Sequence, residues 1–389
     1  MERNVPKLRF KGFNDEWKEY RIGDLCRVDT GNKDTQNKVD NGIYPFFVRS
    51  QNVERINTYS YDGEAILTAG DGVGVGKVFH YVNCKFDYHQ RVYKLSDFNN
   101  VNGKFLYMYF SKNFKRETVK YNAKTSVDSV RREMITKMKI IMPSMVEQER
   151  IANFLTKIDK IIEKQEEKVK NLENYKKGMM QKIFSQEIRF KDENGEEYPE
   201  WNKEHLGNLV ERVVRKNKGN ISNRPLTISA KYGLVDQEEF FNKVVASSNL
   251  EGYYLLENGE FAYNKSYSNG YPFGAIKRLD KYDDGAVSTL YICFKPKNGL
   301  SSDFLCHYFE SDMWHKEVAM VAVEGARNHG LLNISVGDFF DTIHKVPCKK
   351  EQIQIANFLN NISNLLYKEE NKFKELQKWK KALLQQMFV

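Results

Sequence analysis

The sequence has few of the features that mark membrane, secreted or zinc-binding proteins. No stretch approaches the roughly 18 consecutive apolar residues of a membrane-spanning helix, and residues 1–10 lack the apolar region of a signal peptide. The five cysteines are odd in number and include no Cys-x-x-Cys pair, which argues against a disulfide framework and a zinc ribbon. We therefore expect a cytoplasmic protein with free thiols.

Catalytic and nucleotide-binding motifs are also missing. The glycine run at residues 70–77 has Asp71 and Val78 where a P-loop needs Gly and Ser or Thr, so a glycine-rich strand turn is the better interpretation. None of the 8 prolines has a proline neighbour, which excludes the Asn/Asp-Pro-Pro-aromatic loop of a DNA adenine methyltransferase. The 7 histidines show no metal-binding spacing. We expect no catalytic residue and no metal site.

What is present is enough apolar and charged residues for a globular chain of more than one domain. The 389 residues are 41% hydrophobic and 29% charged, and a single core rarely grows to this size. The net charge of +9 suits a polyanionic partner but is modest for so long a chain.

An internal repeat organises the chain. Residues 143–184 align without gaps to residues 347–388, at an offset of 204, with 18 of 42 positions identical. Weaker matches precede them: Arg9-Phe10 recurs as Arg189-Phe190 at an offset of 180, and Trp17 recurs as Trp201 at 184. The steadily rising offsets indicate loop insertions in the second copy. Each half is therefore a variable module followed by a better-preserved segment.

The preserved segments read as long heptad helices. Apolar residues recur at alternating spacings of three and four residues. Polar residues interrupt this pattern at equivalent places in the two copies: Gln165 corresponds to Glu369, and Lys176 to Lys380. Pro143, Ser144 and Glu147 predict a capped helix start. Two unrelated amphipathic helices, each on its own domain, are the alternative. Their matched length favours a coiled coil, and an antiparallel orientation is an inference that the heptads alone do not settle.

The modules contain short β-like runs separated by Gly and Asn, for example residues 44–49 and 289–294, followed by a predicted helix at residues 105–114 and 304–318. The predicted fold class is mixed α/β: two globular modules and two long helices packed as an antiparallel coiled coil, with an internal pseudo-two-fold repeat. The predicted domains are residues 1–142, 143–185, 186–346 and 347–389.

Basic, amide and hydroxyl side chains cluster at predicted loops of both modules. These side chains can read base edges and hold phosphates, although any one such cluster is more often ordinary loop surface. The candidate DNA-binding residues are Arg49, Gln51, Asn52, His89, Gln90, Arg91, Lys124, Ser126, Asn264, Lys265, Ser266, Arg327, Asn328 and His329.

Two dissimilar modules alternating with two similar helices, together with Glu147-Gln148 and Ile151-Ala152 repeated as Glu351-Gln352 and Ile355-Ala356, resemble the specificity subunit of type I restriction-modification systems, which serve bacterial defence. The resemblance covers the whole chain. It implies that each module is a target recognition domain reading one half of a split DNA site, and that the chain itself is not an enzyme.

The resemblance also implies partners. Two methyltransferase subunits and, in the restricting form, two restriction/translocase subunits would dock on the helices and carry S-adenosylmethionine, ATP and Mg²⁺, with no cofactor in this chain. Candidate partner-binding residues at the helix starts are Glu147, Gln148, Phe154, Glu351, Gln352 and Phe358. For each of them capping or core packing is an equal alternative.

Three other functions stay open at this point. A stand-alone nuclease with an unrecognised metal site would cleave DNA without partners. A coiled-coil adaptor would bind only protein, without salt-sensitive DNA binding. A specificity subunit of a modification-only complex would direct methylation without cleavage.

Overall fold

The computed structural model describes residues 5–122, 129–230, 232–242, 249–267, 270–322 and 332–389 of the chain. It divides into two compact units. Unit 1 combines Met1–Glu167 with Asn371–Val389, and unit 2 is the continuous segment Lys168–Glu370. The division passes through both long helices, so it follows packing rather than the sequence repeat, and the domain boundaries given above stay a prediction.

Unit 1 begins with a mixed set of short elements and ends in a long helix that continues into unit 2. In chain order they are β1 (Lys18–Arg21), α1 (Ile22–Leu25), β2 (Arg27–Thr30), β3 (Tyr44–Phe47), β4 (Glu54–Ile56), β5 (Tyr61–Ala69), β6 (Phe79–Tyr88), β7 (Val92–Ser96), α2 (Gly103–Asn122), α3 (Arg132–Thr136), β8 (Lys139–Met142) and α4 (Met145–Phe184).

A six-stranded sheet in the order β2-β7-β5-β6-β3-β4 forms the centre of unit 1, with only the β3–β6 pair parallel among its described pairs. The second half of β5, residues 65–69, is buried throughout because it is covered on both faces. Ile66 packs into the main core, whereas Ala65 and Leu67 pack into a second cluster on the other face. The strand therefore lies in the middle of the module.

Unit 2 holds the second set of elements. They are β9 (Asn202–His205), α5 (Leu206–Leu209), β10 (Val210–Arg212), β11 (Leu226–Ser229), β12 (Gly233–Asp236), α6 (Gln237–Phe241), β13 (Tyr254–Glu257), β14 (Phe261–Asn264), β15 (Ala275–Arg278), β16 (Asp284–Val287), β17 (Ile292–Pro296), α7 (Ser302–Glu310), α8 (His315–Val321), α9 (Val336–Asp341), β18 (Ile343–Val346) and α10 (Lys349–Met387).

The sheet of unit 2 repeats part of the sheet of unit 1. Its strand order β10-β17-β14-β15 corresponds to the order β2-β7-β5-β6 in unit 1. Two separate strand pairs, β11 with β12 and β13 with β16, lie outside this sheet. In both units the first strand pairs with the strand that leads into the long helix, with Lys18 opposite Met142 and Asn202 opposite Val346. The internal repeat and the mixed α/β fold class are thus confirmed.

One predicted helix differs from expectation. The expected helix at residues 304–318 is two helices, α7 and α8, because Ser311 has an extended backbone and its hydroxyl donates to the carbonyl of Tyr308 at 2.6 Å. The Ser311 side chain competes with the helix for backbone partners, as serine often does. The predicted helix at residues 105–114 lies within α2.

The long helices α4 and α10 have 40 and 39 residues, and they run antiparallel in each unit. In unit 1 the start of α4, at Ile151 and Leu155, shares a core with the end of α10, at Leu383 and Met387. In unit 2 the end of α4 shares a core with the start of α10, with Ile183 and Leu359 among its members. The predicted antiparallel coiled coil is confirmed.

Three polar residues of the heptad seam, Glu369, Lys380 and Lys176, form ion pairs. Glu369 accepts from Lys168 at 2.7 Å within unit 2, and Lys380 pairs with Asp159 within unit 1. Lys176 pairs instead with Glu310 of α7 at 2.8 Å. The seam is therefore interrupted by ion pairs, which in coiled coils specify register.

The remaining expectations about composition concern thiols, metals and membranes. All five cysteines are free, and burial raises the pKa of Cys26, Cys293 and Cys306 to about 12. Within the described ranges, no group of three His, Cys, Asp or Glu side chains is arranged to hold a metal ion. No helix in those same ranges is long and apolar enough to cross a membrane.

Candidate nucleic-acid interface

In unit 1, six of the predicted DNA-binding residues come from two neighbouring loops. Arg49, Gln51 and Asn52 follow β3, and His89, Gln90 and Arg91 form the turn between β6 and β7. The two loops are held together because β3 pairs with the end of β6 and the His89 N–H donates to the Phe47 carbonyl at 2.9 Å. We call these six residues the module-1 cluster.

An aspartate joins the two arginines of this cluster. Arg49 donates to the Asp71 carboxylate at 2.9 Å, and the Arg91 Nε lies 3.8 Å from the other carboxylate oxygen. Both arginine side chains are about half exposed or more, at 47% and 65%. The arrangement presents two guanidinium groups to solvent at a fixed spacing, which suits phosphate or guanine recognition.

The histidine and the glutamine of the cluster are oriented by a second aspartate. Gln90 donates to Asp34 at 2.9 Å, and the His89 Nε2 lies 4.0 Å from the same carboxylate. His89 Nδ1 accepts the Arg91 N–H at 2.8 Å, which places the proton of the neutral ring on Nε2. Burial, together with the charge of Arg49, lowers the pKa of His89. The ring is therefore a fixed neutral support for the turn.

The glycine run next to the cluster supports its backbone. A Cβ on Gly74 would lie 2.5 Å from the Arg49 carbonyl oxygen, and the Gly70 N–H donates to the Arg91 carbonyl at 2.7 Å. These glycines let two loops approach closely, which agrees with a strand turn rather than a phosphate cradle. Asp71 lies within this run and was not among the predicted site residues. An acidic residue inside a glycine turn was the available signal.

In unit 2, the described candidates have mainly internal partners. Asn264 ends β14, and its side chain accepts the Ser266 N–H at 3.0 Å. The Lys265 ammonium donates to the Ile334 carbonyl at 2.9 Å. These contacts fix the loop after β14, and a DNA-binding role for the three residues stays a prediction.

Five other candidates fall outside the described residues: Lys124, Ser126, Arg327, Asn328 and His329. The chain resumes beside the module-1 cluster, since Ser129 pairs with Asp71 and the Val130 N–H donates to Gly70 at 2.7 Å.

The predicted partner-binding residues are engaged within their own units, by contacts that occur twice. Glu147 accepts two bonds from Arg9, both at 2.7 Å, and Glu351 accepts two from Arg189, at 3.3 and 2.9 Å. The hydrogen bond to each glutamate raises the pKa of its arginine. Both glutamates are buried. The repeated Arg-Phe and Glu-Gln motifs are thus explained as contacts between the start of each half and its long helix.

The other four residues show the same duplication. Gln148 bridges the Asn102 N–H and the Pro143 carbonyl, as Gln352 bridges Ser301 and Pro347. The rings of Phe154 and Phe358 meet those of Phe10 and Phe190 edge-on, at 5.5 and 5.6 Å. These contacts account for the repeat by packing alone, and contact of the six residues with a partner stays a prediction.

Comparisons with known proteins find type I restriction-modification specificity subunits among the similar sequences. The family model for the type I restriction modification DNA specificity domain matches residues 14–174. The EcoDI specificity subunit of Escherichia coli is 30% identical over 186 residues, which is 48% of this chain and 40% of that protein. The MjaVIII specificity subunit of Methanocaldococcus jannaschii is 24% identical over 98% of this chain and 94% of that protein. The chain thus spans less than half of the first relative and nearly all of the second.

Two solved structures share the fold. The S subunit of a type I restriction-modification system from M. genitalium aligns over 99% of both chains with a TM-score of 0.62 and 16% identity. A chain from a study of complex assembly and conformational transition in a type I system aligns over 95% of this chain and 96% of its own length, with a TM-score of 0.51 and 13% identity. The chain is thus similar to type I restriction-modification specificity subunits: residues 14–174 match the specificity-domain model, and the fold is that of the S subunit from M. genitalium.

Proposed function

We propose that this chain is the DNA-reading, non-catalytic subunit of a type I restriction-modification complex and recognises a bipartite, asymmetric target. The observation that carries the proposal is a duplicated scaffold bearing two modules of different sequence. Equivalent strand pairs join each module to its helix, while the loops at the sheet ends differ. Such a scaffold can hold two different readers in equivalent positions on DNA.

In module 1 the reading surface is the module-1 cluster. Arg49 and Arg91 both contact the Asp71 carboxylate. On binding, a DNA phosphate or a guanine edge would take the place of this carboxylate as their partner. In module 2 the corresponding role falls to the loop containing Asn264, Lys265 and Ser266 and to residues 327–329.

We assign catalysis and its cofactors to partner subunits. Two methyltransferase subunits would supply S-adenosylmethionine chemistry, and two restriction/translocase subunits would supply ATP- and Mg²⁺-dependent cleavage in the restricting form. Because the substrate is cellular DNA, we place the complex in the cytoplasm. A modification-only complex would differ by methylating without ATP-dependent cleavage.

The decisive experiment is to co-express the chain with a cognate methyltransferase subunit and to map N6-methyladenine across the host genome by single-molecule sequencing. We expect one split motif that depends on this chain. Replacing residues 1–142 with another module should change one half of the motif only. A stable complex without any motif would indicate an adaptor and overturn the proposal.

A point variant tests the module-1 cluster directly. Arg91→Ala in the complex should weaken binding to the target and lower the log-log salt slope by about 1 if the arginine contacts a phosphate, or relax one position of the motif if it contacts a base. Arg21→Ala, an exposed arginine on β1, is the matched control. Equal affinity and motif for Arg91→Ala and wild type would remove the cluster from the interface.

A further inference from the structure

A valine lies at the tip of the glycine turn beside the module-1 cluster. Val73 is 88% exposed, the highest value for a large apolar side chain among the described residues. It is the central residue of a 3₁₀ turn, Gly72–Gly74, in the connection between β5 and β6. A side chain this exposed buries little apolar area and therefore contributes little to the stability of unit 1.

The turn is attached to the module-1 cluster on both sides of Val73. Asp71, two residues before it, contacts Arg49 at 2.9 Å and Arg91 at 3.8 Å. Gly74, the next residue after it, packs so closely that an added Cβ would lie 2.5 Å from the Arg49 carbonyl oxygen. Consecutive Cα atoms are about 3.8 Å apart. Val73 is therefore part of the same loop surface as the two arginines.

The conformation of the turn is fixed by its own backbone. The Val75 N–H donates to the Gly72 carbonyl at 3.1 Å, and the Val78 N–H donates to the Gly74 carbonyl at 2.9 Å. The side chain of Val73 is stiff as well, because β-branched residues have few χ1 rotamers. A contact made by Val73 would therefore cost little ordering entropy.

The outer side of the turn is open. A Cβ on Gly72 would meet no atom within 4 Å apart from its chain neighbours, and the φ of this residue is +73°, which glycine adopts without strain. Both neighbours of Val73 are glycines, so no adjacent side chain stands beside it. The isopropyl group can thus approach a facing surface without obstruction from its own turn.

The equivalent connection of module 2 has the same length and also exposes an apolar residue. The last paired residues are Thr68 with Phe79 in module 1 and Asn264 with Ala275 in module 2, which leaves ten residues in each connection, 69–78 and 265–274. In module 2 the exposed residue is Tyr267, which is 60% exposed. Both modules therefore present an apolar side chain from the same connection, and the residue differs between them.

An apolar side chain can distinguish bases in a way that an arginine does not. In the major groove thymine carries a C5-methyl group, and small apolar side chains contact it. Apolar wedges that separate base steps from the minor groove are mostly larger residues, such as Phe, Leu, Ile and Met, and they kink the duplex. The short side chain of Val73, beside two arginines that suit phosphate or guanine, favours contact with a base edge.

We propose that Val73 is a specificity-determining residue that contacts the methyl group of one thymine in the half-site of module 1. The inference rests on the proposed function, because it takes DNA as the ligand of the module-1 cluster. It adds an apolar determinant to a site built from charged and polar side chains. It also names the base that this determinant selects.

The test uses the full chain in complex with its cognate methyltransferase subunit, and duplexes that carry the mapped motif. In the half of the motif that depends on residues 1–142, each thymine of either strand is replaced in turn by deoxyuridine, which removes only the C5-methyl group. We expect one replacement to weaken wild-type binding about fourfold, as loss of one buried methyl group does. Val73→Ala should bind the unmodified duplex about four- to tenfold more weakly and lose nothing further with deoxyuridine at that position.

The matched control is Ile43→Ala, which shortens another exposed apolar side chain of module 1. Ile43 is 66% exposed and precedes β3, whereas Arg49 follows that strand. This variant should bind like wild type and keep the deoxyuridine effect. The log-log salt slope of Val73→Ala should equal that of wild type, because an apolar contact releases no counterions.

Two results would overturn the inference. One is that Val73→Ala and deoxyuridine act independently at every thymine of this half. The other is that Val73→Ala weakens binding to target and non-target duplexes equally, since the valine would then contact DNA without reading a base. A wild-type complex that yields no methylation motif would instead refute the proposed function.

Discussion

At the scale of single residues, the best-defined features are the two arginine–glutamate pairs that join the start of each half to its long helix. Glu351 makes one contact more than Glu147, because the Trp201 Nε1 donates to it at 3.1 Å, whereas the equivalent Trp17 Nε1 is buried with no partner among the described residues. The glutamate of the arginine–glutamate pair thus accepts more hydrogen bonds in the second copy than in the first.

We predict that Glu147→Gln lowers stability by about 2–3 kcal/mol, because a buried charge-assisted pair loses its charge on one side. Glu351→Gln should lower it further, since Trp201 also depends on that carboxylate. Urea-induced unfolding followed by circular dichroism measures both. Glu133→Gln, which removes an exposed pair between α3 and the following residue, Lys137, should leave the midpoint unchanged. Equal midpoints for Glu147→Gln and wild type would show that the pair is dispensable.

A buried histidine gives unit 2 a pH dependence. His344 lies between the Tyr308 hydroxyl and the Thr342 hydroxyl, each at 2.8 Å, and burial lowers its pKa from 6.5 to about 4. Between these two values the unfolded chain binds more protons than the native chain, so stability falls as the pH drops through this window.

We predict that protonation of His344 lowers the free energy of unfolding by about 3 kcal/mol as the pH falls from 6.5 to 4. Unfolding free energies measured at several pH values should show a shallower slope for His344→Gln than for wild type. The comparison isolates this histidine, because the other groups that titrate in the window are common to both proteins. Parallel pH curves would contradict the assignment.

The sequence predicted some of these residues and not others, for physical reasons. Arg49 and Arg91 were found because turns concentrate polar side chains, and their proximity follows from the parallel β3–β6 pairing, which no local pattern reveals. Asp71 was missed for the same reason. Glu147 was expected to cap its helix, but both of its oxygens are bound by Arg9, which is 138 residues away in sequence.

At the scale of elements, the helices were the most predictable part, because heptad periodicity is a local property of the sequence. It identified the seam, and the capping signal at Ser144 identified the start of α4 one residue later. It did not identify the partner of Lys176, because that depends on Glu310, which belongs to another element. The break between α7 and α8 was missed because it depends on the extended backbone of one residue, Ser311, which periodicity does not reveal.

We propose that the long helices set the distance between the two modules, and therefore the length of the unread spacer between the two halves of the DNA target. Inserting one heptad at the same level into both α4 and α10, between residues 167 and 168 and between 370 and 371, lengthens the coil by about 10 Å and keeps the seam in register. We expect the unread spacer of the methylated motif to grow by about three base pairs. Mapping N6-methyladenine reports the new motif directly.

The control is the same insertion in α4 alone. It shifts the ion pairs of Lys168 and Asp159 out of register, so it should lower stability without giving a defined longer spacer. An unchanged spacer in the double insertion, with methylation intact, would show that helix length does not set the distance.

At the scale of the whole molecule, the two units differ in how the chain builds them. Unit 2 is one continuous segment, whereas unit 1 needs Asn371–Val389 in addition to its first part. Leu383, Met387 and Phe388 belong to the core of unit 1, and the Phe388 ring lies 5.1 Å from that of Phe105. The Leu8 N–H also donates to the Gln386 carbonyl at 2.9 Å.

We therefore predict that deleting residues 371–389 destabilises unit 1 selectively. Removal of three buried apolar side chains should destabilise it by at least about 5 kcal/mol, more than many modules can lose. Limited proteolysis with mass spectrometry should show rapid cleavage within residues 5–142 and protection of residues 200–346. Equal protection of both regions would contradict the prediction.

This discontinuity also has a consequence for the order of events on the ribosome. Once Glu167 has been synthesised, 222 further residues are added up to and including Val389, which takes about 10–45 s at ordinary translation rates. Unit 2 is complete before that point and can fold first, while the first half of the chain waits with the surface around Phe105 uncovered. The nascent protein is thus most exposed to chaperones, proteases and aggregation in unit 1, until residues 371–389 have been added to its core.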